Sequence, residues 1–325
     1  MSQSILLTVL GGYLGSGKTT VLNHVLRHSD GRGLAVIVND FGSINIDASL
    51  IESRTDEAIN LANGCICCSI SGGFTEALEQ LSRRDPPPRQ VIIEASGIAD
   101  PLKISHYASL APYRLDGIVV VADAETVRER AQDKYVGGQV VRQLQAADLI
   151  ILNKLDLVGA AQRDQVQAWI AERAPAARVV PASFGRIPVS VIAGLHREES
   201  RDDAGAPGRA GDDGHDHVHD HGHHDHATEY TSSSITIDRP VSEGEFRAMV
   251  AAWPKAVLRA KGIVHLREDP GRRHVFQLVG PRWTLAPDRD WAGERPQTRI
   301  VVIGLARQLS GKDVLAPLAR AVTAA

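Results

Sequence analysis

Short apolar runs punctuate the first two thirds of the chain, at Ile5–Leu10, Leu34–Val38, Val91–Ile93, Gly117–Val121 and Leu149–Leu152. Each run is nearly continuous and does not alternate with polar residues. That is the pattern of a strand buried on both faces. Helical periodicity lies between them, around Thr19–Arg27, Gly73–Arg83 and Gln162–Ala174. Strand and helix in alternation predict an α/β layer structure, a mostly parallel sheet covered on both sides.

The pattern stops near Arg197. Positions 199–228 read "ESRDDAGAPGRAGDDGHDHVHDHGHHDHAT". So polar a stretch cannot bury enough surface to offset the entropy of ordering it, and a disordered, His-rich linker is expected. Order is expected to resume with an alternating strand at Ser233–Ile237 and a helix at Ser242–Trp253. Strand-like runs follow at Ile263–Leu266, His274–Val279 and Arg299–Ile303, with a last helix at Val314–Val322. These elements do not alternate strictly, which suggests a smaller α+β unit. The expected division is therefore 1–198, a linker at 199–228, and 229–325.

The chain has 325 residues, 43% of them hydrophobic, enough for a sizeable core. A net charge of -3 gives no bulk electrostatic reason to expect nucleic acid as a partner. No apolar run approaches the roughly 18–20 residues of a membrane helix. The opening "MSQSILLTVLGG" lacks the basic start and long apolar stretch of a signal peptide. A reducing compartment, the cytoplasm, is the expected location.

Candidate chemistry begins at "GGYLGSGKTT", residues 11–20. It contains G-x-x-x-x-G-K-T, follows a strand pattern and opens a helical one. Glycines let backbone N–H groups curl around phosphate oxygens, and a helix N-terminus favours the same negative charge. Gly12, Gly15, Ser16, Gly17, Lys18, Thr19 and Thr20 are the phosphate-binding candidates. Lys18 is expected to reach the β- and γ-phosphates, and the Thr19 hydroxyl to ligate Mg²⁺. "ILNKLD" at 151–156 ends another strand and supplies N-K-x-D through Asn153, Lys154 and Asp156. A carboxylate there can accept both N1–H and N2–H₂ of guanine, donors that adenine lacks. Together the two motifs point to GTP. "VIIEASG" at 91–97 places Glu94 at a strand end, where it can hold Mg²⁺ opposite Thr19. Lys18, Thr19 and Glu94 are the catalytic candidates. Asp40, in "VNDFG" after the second strand, is a further Mg²⁺ or metal candidate.

All 3 cysteines, Cys65, Cys67 and Cys68, fall within "NGCICCSI". A disulfide framework spreads its cysteines, so this is not one. In an extended segment Cys65 and Cys67 face one way and Cys68 the other. Two thiolates leave a tetrahedral site incomplete. The switch segment, water, a second subunit of a homodimer or a client protein would have to complete it. Thiolates favour Zn²⁺, with Co²⁺ as an alternative. Cys65 and Cys68 also have C-x-x-C spacing, so redox exchange stays open. Seven of the 13 histidines, His215, His217, His219, His221, His223, His224 and His226, are interleaved with aspartates and suggest loose capture of metal.

With "GGYLGSGKTT", "VNDFG", "NGCICC", "EASG", "NKLD" and a C-terminal "WPKAVLRAKGIVHL", the chain resembles the CobW-like GTPases, relatives of the nickel-insertion GTPases. The resemblance covers nearly the whole chain except the linker. It implies a P-loop GTPase core joined to a smaller α+β domain, and metal delivery or metal-cofactor maturation for a client metalloprotein. The family commonly has an acid directly after "FG", where this chain has Ser43, and often glutamate where Asp40 stands. A GTPase metallochaperone is the leading expectation. A metal buffer or sensor with incidental GTPase activity, and a nucleotide-dependent thiol oxidoreductase, are the alternatives.

Overall fold

The computed structural model describes residues 4–29, 33–39, 58–61, 72–193, 229–306, 308–309 and 314. Asp40, Ser43, the three cysteines and the seven histidines of the tract lie outside the described residues. So do the expected linker and all of the last expected helix but Val314.

The first unit runs β1 (Ile5–Gly11), α1 (Lys18–His28), β2 (Leu34–Asn39), β3 (Ala58–Leu61), α2 (Gly72–Ser82), β4 (Gln90–Glu94) and α3 (Pro101–Ser105). It continues through β5 (Tyr113–Asp123), α4 (Val127–Gln132), α5 (Gly137–Ala146), β6 (Leu149–Asn153), α6 (Ala160–Arg173), β7 (Arg178–Pro181) and α7 (Val189–Ile192). Among the described residues the strands form one seven-stranded sheet in the order β3-β2-β4-β1-β5-β6-β7. Every pairing in it is parallel. Successive side chains of a strand point to opposite faces, and the core divides accordingly. Leu7 and Val9 join Phe74, Leu78, Val140, Leu144 and Ile170 on one face. Leu10 joins Val21, Leu22, Val25 and Val191 on the other. The continuous apolar runs of the sequence follow from this two-sided burial.

The second unit has β8 (Tyr230–Ile237), α8 (Glu243–Ala251), β9 (Val257–His265), β10 (Arg272–Val279), β11 (Arg282–Asp290) and β12 (Thr298–Leu305). Its five strands pair antiparallel in the order β11-β10-β9-β12-β8. Phe246 and Val250 of α8 pack on Val264, Phe276 and Val302 of this sheet. β11 carries Pro287 and is an edge strand, the place where a missing N–H does least harm.

The two units share a core. Tyr230, Leu258, Val279 and Ile303 of the second belong to the same apolar cluster as α1 and α7. A buried polar network crosses the junction. The β1–β5 register jumps from Leu7↔Leu115 to Thr8↔Gly117, so Asp116 is the extra residue of a bulge. A bulge re-aims its side chain. Here the Arg259 guanidinium donates to both Asp116 oxygens, at 3.0 and 2.8 Å. Thr8 Oγ1 donates to Asp116 at 3.1 Å, and Gln90 Nε2 donates to Thr8 Oγ1 at 2.7 Å. Arg259 Nη1 and Gln90 Nε2 also donate to the Ile192 carbonyl, at 2.9 and 3.2 Å. Farther along, Asp148 accepts from the Ile118 N–H and from Arg282 Nε, both at 2.9 Å. Gly280 (φ +56) begins the β10–β11 turn, and a Cβ there would stand 2.2 Å from the Asp148 carbonyl oxygen. The turn therefore needs glycine for its φ and for this close approach. Lys261 sits in the same junction, its pKa lowered by burial and by Arg259.

Candidate functional site

In a parallel sheet the C-terminal ends of all strands share one edge, and ligand-binding loops grow from it. β1 ends at Gly11 and leads into the glycine-rich loop. Gly12 (φ +138) and Gly17 (φ +98) hold backbone conformations that other residues rarely adopt. Space is tight at both. A Cβ on Gly12 would come 2.4 Å from the Val121 carbonyl oxygen, and one on Gly17 would come 2.4 Å from Asn153 Nδ2. Gly17 immediately precedes α1, so Lys18, Thr19 and Thr20 form its first turn, where N–H groups have no partner within the helix. Ser16 is buried, and its Oγ has no hydrogen-bond partner among the described residues. Lys18 is buried to 8% exposure.

Thr19 and Glu94 meet although 75 residues separate them: Thr19 Oγ1 donates to Glu94 Oε1 at 3.0 Å. Glu94 is the last residue of β4, next to β1 in the sheet, and is only 2% exposed. A hydroxyl and a carboxylate in contact beside a phosphate-binding loop are hard oxygen donors, the set that Mg²⁺ prefers. These residues fit the ion. The segment after Glu94 rests on the loop itself. Ala95 N–H donates to Leu10 O at 2.9 Å. A Cβ on Gly97 would stand 2.6 Å from Leu14 Cδ2 and 2.8 Å from the Leu14 backbone nitrogen.

The N-K-x-D segment is divided in its tasks. Asn153 is buried, donates from Nδ2 to Ser16 O at 3.1 Å, and accepts at Oδ1 from Gly185 N–H at 2.9 Å. It ties the phosphate loop to the turn after β7. Lys154 has φ +62, and its Nζ contacts Asp123 Oδ2 at 2.8 Å. Asp156 is exposed in a short 3₁₀ turn, Leu155–Leu157. Sequence reasoning missed Asp123, Gly97 and the 183–186 turn. Asp123 had a signal, an acid closing an apolar strand as Glu94 does. The turn had little, although a Cβ on Gly185 would stand 3.0 Å from Thr20 Cγ2 and from the Val21 backbone nitrogen. Phe184 (φ +54) stands 63% exposed there, with the Arg186 guanidinium 5.8 Å from its ring centre.

A seven-stranded parallel sheet, a glycine loop after its first strand and N-K-x-D after its sixth define a P-loop GTPase. The CobW/HypB/UreG nucleotide-binding domain matches residues 6–181, and the cobalamin synthesis protein cobW C-terminal domain matches residues 230–322. The chain belongs to the CobW/HypB/UreG family. The zinc chaperone CobW of Pseudomonas aeruginosa is 34% identical over 336 aligned residues, covering 91% of this chain and 86% of its own length. The zinc chaperone YjiA of Escherichia coli is 30% identical over 332 residues, covering 97% and 98%. The Zn(II)-bound structure of YjiA GTPase from E. coli aligns over 98% of this chain and 99% of that one, at 24% identity and a TM-score of 0.45.

Among the described residues, no group of three or more His, Cys, Asp or Glu side chains could hold a metal ion. No helix among them is long and apolar enough to cross a membrane.

Proposed function

We propose that this chain is a GTP-hydrolysing metallochaperone. It carries a transition metal, Zn²⁺ or Co²⁺, on the thiolates of Cys65 and Cys67 and passes it to a client metalloprotein. One observation carries the reading. β1, β2, β3 and β4 are neighbours and parallel, so their C-terminal ends share one edge. The phosphate loop follows β1, "VNDFG" follows β2, "NGCICC" follows β3 and "EASG" follows β4. β3 thus ends at the nucleotide edge, and the thiol-bearing stretch lies in the sequence between its last residue, Leu61, and Gly72. The names of the relatives, zinc chaperones and a zinc-regulated GTPase metalloprotein activator, support zinc as the first metal to test.

In the reaction, water attacks the γ-phosphorus in line with the departing β-phosphate oxygen, and catalysis is mostly positioning and charge stabilisation. Backbone N–H groups of the loop and the α1 N-terminus hold the phosphates. The Lys18 ammonium offsets the negative charge that shifts toward the β–γ bridging oxygen. Thr19 and Glu94 would hold Mg²⁺, which would supply further charge neutralisation. Asn153 keeps the loop and the 183–186 turn in register, leaving Asp156 to select guanine. Asp156→Asn is expected to shift preference from GTP toward xanthosine triphosphate by at least about 100-fold. The amide N–H₂ meets the xanthine carbonyl, where guanine presents a second donor. Competition binding with the two triphosphates measures this, and undiminished GTP preference would remove Asp156 from the base site.

Coupling of metal to nucleotide is what makes a GTPase a chaperone and not a buffer. Binding of GTP orders the segments at this edge and closes the metal site, and hydrolysis loosens it. The remaining ligands come from the Asp40 segment, water, a second subunit or the client, and the seven histidines raise metal concentration locally. The expected setting is the cytoplasm, where thiols stay reduced. The test is Zn²⁺ affinity with a non-hydrolysable GTP analogue, with GDP and with no nucleotide. A difference of roughly 5–150-fold is expected, the size of a typical coupling. Cys65→Ser or Cys67→Ser should abolish it, and Cys68→Ser should matter less. Equal affinities in all three states would favour the buffer, and a reversible disulfide within 65–68 the oxidoreductase.

A further inference from the structure

We propose that Gln143 is a positioning residue for GTP hydrolysis, its side-chain amide clamping the segment after Glu94 against the phosphate loop. Gln143 sits on α5, on the stripe that also bears Val140 and Leu144. Spacing of i, i+3, i+4 puts all three on the core face. A polar residue in a core stripe must find partners there. Gln143 is 2% exposed, and its Nε2 donates to Gly97 O at 3.1 Å and Ala99 O at 2.8 Å. A primary amide has two N–H donors, and here each has its own carbonyl.

The clamped stretch is short and both its ends are held. Glu94 bonds Thr19 at one end, and the chain reaches the cap of α3 at the other, where Asp100 Oδ1 accepts from Leu102 N–H at 3.0 Å. Between them, Gly97 lies so close to Leu14 that any Cβ would strike the Leu14 backbone nitrogen. The order through space is therefore α5 amide, Gly97 and Ala99 carbonyls, Gly97 Cα, and the phosphate loop. Gln143 also lines the cleft behind that loop together with Tyr13, Leu14 and Ser16. Among the hydrogen bonds of the described residues, no other side chain of α4 or α5 donates to Gly97 or Ala99. Without the amide, two carbonyls face the core unsatisfied, and residues 97–99 lose their anchor behind Leu14. Its loss frees the backbone three residues beyond Glu94 and so loosens the setting of the Glu94 carboxylate against Thr19. Ground-state GTP and GDP are held mainly by the loop, α1 and the base site, so loss of the clamp falls on the rate and not on binding.

The proposal rests on the GTPase reading, and the test separates the two by including the wild-type protein. Phosphate release, KM for GTP and GDP affinity are measured for wild type, Gln143→Met and Gln143→Glu. Met fills similar volume with no donor, and an ionised Glu offers only acceptors to two carbonyl oxygens. Both variants are expected to lose at least tenfold in kcat at pH 8, roughly the loss of one well-placed hydrogen bond, with KM and GDP affinity changed less than about threefold. Gln143→Glu is further expected to recover as the pH falls from about 8 to 6. A carboxyl buried between carbonyl oxygens has a raised pKa, and its protonated form donates one hydrogen bond. The wild-type protein and Gln143→Met should not show that recovery. Unchanged kcat, or kcat and nucleotide affinity falling together, would overturn the positioning role. If Gln143→Met does not fold, Gln143→Glu read at both ends of the pH range decides alone, and no recovery counts against the proposal. A wild-type protein that releases no phosphate would instead overturn the GTPase reading itself.

Discussion

Lys18→Ala is expected to lower GTP turnover at least about 100-fold, the usual cost of removing one preorganised charge-stabilising donor. The fold should survive it. Lys18 opens α1, where a cation is poorly matched to the positive end of the helix dipole, and alanine is the better helix former. The apolar residues that anchor α1, Val21, Leu22 and Val25, are untouched. A phosphate-release assay and a thermal melt on the same preparation measure both halves. Turnover at the wild-type level would remove Lys18 from the reaction. Loss of turnover together with a collapsed melt would mean that the lysine holds the loop and not the phosphates.

Arg259→Met is expected to destabilise the protein by about 3–5 kcal/mol, because it leaves Asp116 buried without its counter-charge. At roughly 2–4 °C per kcal/mol for a chain of this size class, the melting temperature should fall by about 10 °C. The side chains of Arg259 and Asp116 are 3% and 1% exposed, so water cannot take over. Replacing both, Arg259→Met with Asp116→Leu, should restore much of the loss, since two apolar groups need no pairing. GTP affinity should change little. Thr8 and Gln90, the β1 and β4 members of this network, each stand four residues upstream of the functional end of their strand, Gly12 and Glu94. At about 3.3 Å per residue that is about 13 Å. A single mutant that melts like wild type would show that the bridge is not what joins the two units.

Much of this arrangement is local, and local features can be read from sequence. The strands β1, β2, β4, β5 and β6 carry nearly unbroken apolar runs because both faces are covered. The phosphate loop and N-K-x-D are contiguous, so their chemistry is written within a few residues. Short or polar strands were not legible. β3 spans only Ala58–Leu61, β7 only Arg178–Pro181, and β11 is a polar edge strand that contains a proline. α5 opens with Gly137 and Gly138, poor helix formers, which hide a helix that supplies Gln143.

The roles of single residues in the site needed the tertiary structure. N-K-x-D suggests a base-reading segment, yet nothing local says that Asn153 faces Ser16 and Gly185 while Asp156 faces outward. Thr19 meets Glu94 across 75 residues, and Asp116 meets Arg259 across 143. The order of the parallel strands brings the first pair together, and a one-residue bulge aims Asp116 at the second unit. Periodicity along a chain reports which face a residue turns to. Which group waits on the other side is set by how distant segments pack, and hydrogen bonds between such groups leave no trace in local pattern.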